Sequence, residues 1–351
     1  MVFVLSAGVL AIDIAVNFDT VTAAAGPDVL GQTGGRIAFY LMLRFTYNLP
    51  AIIPLAGGIG IIWSEWTLAR GYERAMITST GRATLVSLFP ALLLGLVLGA
   101  VQVASLAFLR PLSVEAQSVH KFRTWYGPRL SGLEAQQHWI ALDGAIVRAQ
   151  VDFGSDPPAM SEITVFRLGR DNRLKEVFTA ERAAFDGAVL RLEAPEIWRS
   201  EPANGAHQDT AIALHPIWLR NFELEPRFWT QSDLAQVASA NLGVPQQHLY
   251  RSILQSRFAG LVRLVAICVF IAALCFALIR PRPNISVGLW LGGALYTLHF
   301  LTQTLTTLGK YGHLAPIPAF WMLPGILVCG VFIWHARALI LVNRIVASKP
   351  D

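Results

Sequence analysis

Apolar residues along most of this chain do not alternate with polar ones but run together in long blocks. Six blocks stand out, roughly at residues 1–18, 37–63, 84–109, 258–280, 285–307 and 318–342. Each is close to or beyond the ~18 apolar residues that cross a bilayer as a helix. Between the third and fourth blocks, residues 110–257 are polar, charged and punctuated by Pro and Gly. There the period shortens to two. ITVFRL (163–168) places Thr164, Phe166 and Leu168 on one face, and AVLRLE (188–193) sets Leu190 and Leu192 opposite Arg191 and Glu193. Asp143-Gly144 and Asp186-Gly187 mark tight turns. The pattern predicts a small antiparallel sandwich or open barrel without disulfides, then a helical stretch from Ser232 to Arg257 that leads into the fourth block. The chain thus divides into membrane helices at 1–109, an outer β domain at 110–257 and membrane helices at 258–351. Glycine pairs at spacing four, Gly95/Gly99 and Gly288/Gly292, allow close helix packing. They read as general packing rather than as a specific dimer seam.

Composition agrees with a multi-span membrane protein. The chain of 351 residues is 54% hydrophobic and 15% charged, against about 25% charged in soluble domains. A net charge of +5 is small for this length. Basic cytoplasmic loops account for it, so no nucleic acid is expected as a partner. Cys268, Cys275 and Cys329 all lie in apolar runs, and the eight histidines lack ligand spacing. Neither a disulfide framework nor a metal site is expected. Residues 1–18 lack a basic n-region and are interrupted by Asp13, unlike a signal peptide. They read as a first span without its cytoplasmic lead-in, as though the start had been placed late.

Charge sets the orientation. Arg70, Arg74, Arg82, Arg280, Arg282, Arg344 and Lys349 fall on one side of the spans, and Arg36 and Lys310 on the other. The basic side is cytoplasmic, so both termini are expected inside and the β domain outside the membrane, which is the periplasm if the cell is Gram-negative. The segment LARGYERAMITSTGR (68–82) then lies in the cytoplasm. On one continuous helix, Leu68, Tyr72, Ala75, Met76 and Ser79 share a face, Glu73 lies beside Tyr72, and Gly81 is a natural stop. The spacing fits either an interfacial helix whose arginines touch anionic lipid or a coupling helix that docks on a cytoplasmic ATPase.

The run from Pro54 through LARGYERAMITSTG resembles the second span and coupling segment of the lipopolysaccharide-export permeases, the LptF/LptG family. Pro54, Leu68, Ala69, Glu73 and Gly81 fall in matching places, with Met76 or Ile77 in the hydrophobic slot. Pro111 with Glu115-Ala116, HWIALDGAIVRA (138–149), the stretch from Ile163 to Leu192, and LGKYGHLAPIPAFWMLPGILV also resemble family segments in order. The outer domain looks slightly closer to the LptG branch. Arg82 departs from the family's hydrophobic residue after the coupling glycine, Ala259-Gly260 stand where a proline is usual, and lysines at the outer ends of the first two spans are not obvious.

The resemblance implies a bundle of six transmembrane helices with an inserted periplasmic antiparallel, jellyroll-like β domain in the bacterial inner membrane. It also implies an LptB-like cytoplasmic ATPase dimer, a second LptF- or LptG-like permease subunit and a single-span LptC-like periplasmic partner. The cargo is lipopolysaccharide. Tyr72, Glu73, Met76, Ile77 and Gly81 are the expected ATPase-coupling residues. The chain has no GxxxxGK[ST] loop, since Gly309-Lys310 is followed by Tyr311 and lacks the first glycine. It is therefore expected to bind no cofactor, ATP being used by the partner.

Three charged residues are candidates for contact with the lipid. Arg44 lies in the second span, where a lipid phosphate is a natural partner; the alternatives are snorkelling or pairing with Asp13 or Asp19. Asp13 in the first span needs a partner or water and reads as a helix–helix polar contact. Arg110, with Arg257, flanks the β domain at the membrane surface, where it either meets phosphates or is an ordinary span-end arginine. In the β domain, Trp139, Phe153, Phe166, Phe178, Phe185 and Trp198 read as core, with some available to line an acyl-chain groove. Tyr296, Phe300, Phe320 and Trp321 read as an interfacial belt. A rival intramembrane hydrolase would need a GxSxG, an HExxH or paired span carboxylates, none of which is present. A second rival, a membrane-anchored sensor or assembly protein with a ligand-binding outer domain, would have no use for an ATPase socket at Glu73.

Overall fold

Each apolar block forms a helix in the computed structural model, which describes residues 2–23, 33–79, 84–120, 122, 136–142, 144–153, 155, 157–169, 173–199, 211–222, 224–240, 247–279 and 284–347. Two units separate by contact, residues 1–122 with 255–351, and residues 123–254.

The first unit contains α1 (Val2–Ala23), α2 (Thr33–Arg70), α3 (Glu73–Ser79), α4 (Thr84–Ser87), α5 (Phe89–Ala104), a π-helical turn (Ser105–Leu109) and α6 (Arg110–Val119). After the second unit come the greater part of α9 (Gln247–Leu278), then α10 (Ile285–Lys310) and α11 (Pro316–Ala347). Among the described residues, five helices are long and apolar enough to cross a membrane: Gly34–Arg70, Phe89–Gln117, His248–Leu278, Ile285–Lys310 and Pro316–Arg337. The predicted first span is α1, a helix of 22 residues outside those five.

Prolines in these helices are accommodated by specific partners. Pro54 has no N–H to give the carbonyl of Pro50. Gln102 on α5 replaces it, its Nε2 donating to that oxygen at 2.9 Å. Ahead of Pro111 the helix widens by one residue, the Arg110 N–H bonding Ser105 O. The third span therefore does not stop at residue 109, and residues 110–119 stay helical in the first unit.

Leucine, isoleucine and alanine from α2, α5, α9, α10 and α11 form one core, centred on Ile53, Ile271, Cys275 and Leu291. Gly95 and Gly99 let α5 approach α9 closely. A Cβ on Gly95 would lie 2.8 Å from the Val265 Cα, and one on Gly99 would lie 3.1 Å from the Leu261 Cα. Gly288 faces the Trp66 ring, while Gly292 faces open space. A smaller cluster of Val21, Tyr40, Leu43 and Phe122 holds α1 against α2.

The second unit contains β1 (Gln136–Leu142), β2 (Ala145–Asp152), β3 (Ala159–Leu168), β4 (Leu174–Asp186), β5 (Val189–Leu192), β6 (Glu196–Arg199), β7 (Ala211–Ala213), α7 (Pro216–Asn221), a 3₁₀ turn (Pro226–Phe228) and α8 (Gln231–Ser239). The strands make one antiparallel seven-stranded sheet in the order β1-β2-β3-β4-β5-β7, with β6 beside the other half of β4. Leu142 pairs with Ala145 around Gly144, which has φ +74°, and Asp186 pairs with Val189 around Gly187, which has φ +63°. Both expected turns are thus built on a glycine in the left-handed region; Asp143 lies outside the described residues.

Val147, Ala149, Val151, Ile163, Val165, Phe178 and Leu190 point inward. They are covered by Trp218, Leu219, Trp229, Leu234 and Val237 from α7 and α8 and the segment between them. Among the described residues, the inner face of the sheet is therefore packed against these helices. The Thr164–Phe166–Leu168 face is the outward one. The expected aromatic core holds only in part. Phe178 is buried and Phe153 and Phe185 pack at its edge, but Trp139 and Trp198 are 60% and 55% exposed. Trp139 stacks on Phe166 across the outward face with ring centroids 5.9 Å apart. In the helical unit Tyr296, Phe300 and Trp321 are exposed as a belt requires, whereas Phe320 is buried against Ala259 and Ala319.

Candidate functional site

The coupling segment is not one helix. α2 ends at Arg70, the chain turns at Gly71–Tyr72, and α3 starts afresh at Glu73. The Gly71 N–H bonds Thr67 O at 3.1 Å and the Tyr72 N–H bonds Ala69 O at 3.3 Å, which closes the last turn of α2. Tyr72 takes φ +58°, a left-handed conformation rare for a residue with a Cβ. Its carbonyl accepts the Met76 N–H at 3.2 Å and so begins α3. This break replaces the expected continuous face. Tyr72, Met76 and Ile77 are 47%, 61% and 39% exposed, and Glu73 is exposed in the first turn of α3. Four of the five residues expected to couple therefore stand together on the surface. The fifth, Gly81, lies outside the described residues.

Arg74, between them, points the other way. Its Nη1 lies 3.6 Å from Glu65 Oε2 on α2 and donates to the carbonyls of Cys275 (3.1 Å) and Ile279 (3.4 Å) at the end of α9. Its Cζ sits 4.2 Å from the Phe276 ring centre. Burial pulls the guanidinium below its ordinary pKa, and the Glu65 charge works against that. Sequence reasoning passed over Arg74, because on a continuous helix it lies off the apolar face.

The three expected lipid contacts lie elsewhere in the same unit. Asp13 on α1 receives Arg44 Nε (2.8 Å) and Nη2 (2.6 Å), and also the Tyr40 hydroxyl (2.5 Å), both from α2. Of the alternatives weighed for Arg44, this is the pairing with Asp13. It is also the helix–helix contact expected of Asp13. Arg110 lies beyond it, with its Cζ 4.6 Å from the Tyr47 ring centre; the Arg44 Cζ lies 4.7 Å from the same ring. Tyr47 thus brings Arg44 and Arg110 around one aromatic surface. Arg257 is 2% exposed. Neither Tyr40 nor Tyr47 was anticipated, although their spacing of four and three residues from Arg44 places all three on neighbouring positions of one helix.

Among the described residues no group of three or more His, Cys, Asp or Glu side chains is placed to hold a metal ion. The family model described as "Lipopolysaccharide export system permease LptF/LptG" matches residues 4–337. The chain belongs to the LptF/LptG family. A search of curated proteins finds no match. As an LptF/LptG permease the chain is a transporter subunit of lipopolysaccharide export, and its apolar helices make it a multi-pass inner-membrane protein. The match spans residues of both units, the α2–α3 break included. The match does not separate the LptF from the LptG branch.

Proposed function

We propose that this chain is the permease subunit of an ABC transporter that lifts lipopolysaccharide out of the inner membrane and passes it to a periplasmic bridge. In this reading an LptB-like ATPase dimer docks on Tyr72, Glu73, Met76 and Ile77, a second LptF- or LptG-like subunit completes the cavity, and an LptC-like protein receives the lipid. α1 serves as a sixth span, and both termini are cytoplasmic. Arg44, Asp13 and Arg110 meet the charged part of the lipid.

Physical chemistry explains why such a machine needs a power source. Exposing each buried CH₂ costs about 0.8 kcal/mol, so a lipid with several acyl chains does not leave the bilayer unaided. The chain has no nucleotide loop of its own, and the energy must enter from a partner. The observation that carries the reading is the exposed Tyr72–Ile77 surface, set at a break in α2–α3 and pinned from behind by Arg74.

The test is co-purification from membranes. An ATP-binding subunit and lipopolysaccharide are expected to accompany the chain, and Glu73→Lys is expected to release the ATPase. ATPase recovery undiminished by Glu73→Lys would instead favour a sensor or assembly role.

A further inference from the structure

Arg74 is 11% exposed at its side chain, whereas its neighbours Tyr72 and Met76 face outward. It reaches two elements that are far apart in sequence. One is Glu65, near the end of α2. The other is the carboxyl end of α9, where it donates to the carbonyls of Cys275 and Ile279. The last carbonyls of a helix lack intrahelical donors and carry its negative partial charge, so a guanidinium is a strong cap there. The Cys275 carbonyl already accepts the Ile279 N–H at 2.9 Å, and Arg74 adds a second, charged donor to it.

The surroundings are open. A cavity of about 310 Å³ lies beside α3, lined by Glu65, Leu68, Arg74, Ile77, Phe89 and Phe276 among others. α3 is therefore not sealed onto the bundle by continuous apolar packing, and a shift of α3 has room to occur. A polar tie across such a space transmits displacement where loose apolar contact would let it dissipate.

We propose that Arg74 is a positioning residue that ties the coupling segment to the end of α9, so that movement imposed on α3 is delivered to α9 as well as to α2. The proposal rests on the reading of the Tyr72–Ile77 surface as the ATPase contact. Arginine suits the task because its planar fork addresses a carboxylate and backbone carbonyls together. Lysine presents one point charge and meets only part of that set. Exchanging the charges of residues 65 and 74 would not restore the tie, because the carbonyls of α9 still need a donor.

The experiment uses the full complex isolated from membranes, with R74A, R74K and the parent chain. Three quantities are measured: ATPase retained, lipopolysaccharide released per ATP hydrolysed, and amide hydrogen exchange in α3 and the last turn of α9. R74A is expected to keep its ATPase, to lose about tenfold in release per ATP, and to exchange faster in both segments. R74K is expected to lie between R74A and the parent. A merely structural role would lower the yield of complex and leave release per ATP in the surviving complex unchanged, and that result would overturn the proposal. If the parent complex contains no ATPase, the reading of the surface fails by itself. Hydrogen exchange then decides the tie: faster exchange in both segments of R74A upholds it, and unchanged exchange removes it.

Discussion

Arg44 and Asp13 meet in a two-pronged ion pair between α2 and α1, with side chains 6% and 10% exposed. The Tyr40 hydroxyl donates to the same carboxylate, so both Asp13 oxygens accept hydrogen bonds beside an apolar packing cluster. Breaking a buried pair strands the remaining charge and typically costs about 3–5 kcal/mol. Replacing both partners with apolar groups of similar volume costs far less, because no charge is left to desolvate.

Asp13→Ala is accordingly expected to lower the thermal-unfolding midpoint of the purified chain sharply, and Asp13→Leu combined with Arg44→Met to recover most of the loss. The double substitution also separates packing from transport. If the recovered protein no longer carries lipopolysaccharide, the pair contacts the lipid as well as holding α1. If it carries a normal amount, the pair is an internal strut.

Gln102 tests the proline repair in α2. Its Nε2 donates to the Pro50 carbonyl left without a partner by Pro54. Gln102→Leu strands that buried oxygen and is expected to cost about 1–3 kcal/mol, read as a drop in unfolding midpoint. Pro54→Ala restores the missing N–H. In the Pro54→Ala background Gln102→Leu is therefore expected to cost less, and equal costs in the two backgrounds would refute the repair.

How far the sequence foretold these features depends on how much each rests on pattern. Run length alone betrayed the helices, and alternation with Gly144 and Gly187 betrayed the hairpins. Alternation has no sign, however. ITVFRL carries apolar residues on both faces, and nothing in it says that Ile163 and Val165 turn inward while Phe166 turns out. The helices that fill the inner face come from residues 216–239; the sequence marks a helix from Ser232, but nothing local in it says that Leu234 and Val237 cover this sheet. The break at Tyr72 was hidden for a different reason. A tyrosine does not announce a positive φ, and on a continuous helix over 68–82 Arg74 is only a polar residue off the apolar face, with nothing to mark it as buried against α9. Pairings such as Arg74 with Cys275 O span 201 residues of sequence, a distance over which local spacing carries no information.

The α5–α9 contact predicts a steep contrast between glycines. A Cβ on Gly95 would meet the Val265 Cα at 2.8 Å, which is backbone and cannot rotate away, while one on Gly292 meets nothing within 4 Å. Gly95→Ala is expected to force the two helices apart at about 1–3 kcal/mol. Gly292→Ala is expected to be neutral or to gain up to about 1 kcal/mol from helix propensity. Thermal unfolding of the two variants side by side checks the ordering, and a Gly95→Ala protein as stable as Gly292→Ala would contradict the close approach.

A pH response is expected in the second unit at His215. This residue caps α7, its Nδ1 accepting the Ile217 N–H at 3.2 Å. Partial burial lowers its pKa from the ordinary 6.5, so the folded state favours the neutral ring that can accept. The unfolded chain binds the proton more readily, and the contribution of the cap is fully present above pH 6.5. It is lost as the pH falls below that value and through the lowered folded-state pKa. Protonation also turns the acceptor into a donor facing another donor, which removes the cap directly. Hydrogen exchange at Ile217 in the full chain is expected to accelerate from pH 7 to pH 5 beyond the intrinsic change in amide chemistry. His215→Asn keeps a side-chain acceptor without the titration, and should hold the Ile217 protection flat over the same range. If the wild-type chain and His215→Asn show the same pH dependence there, the cap is not what sets it.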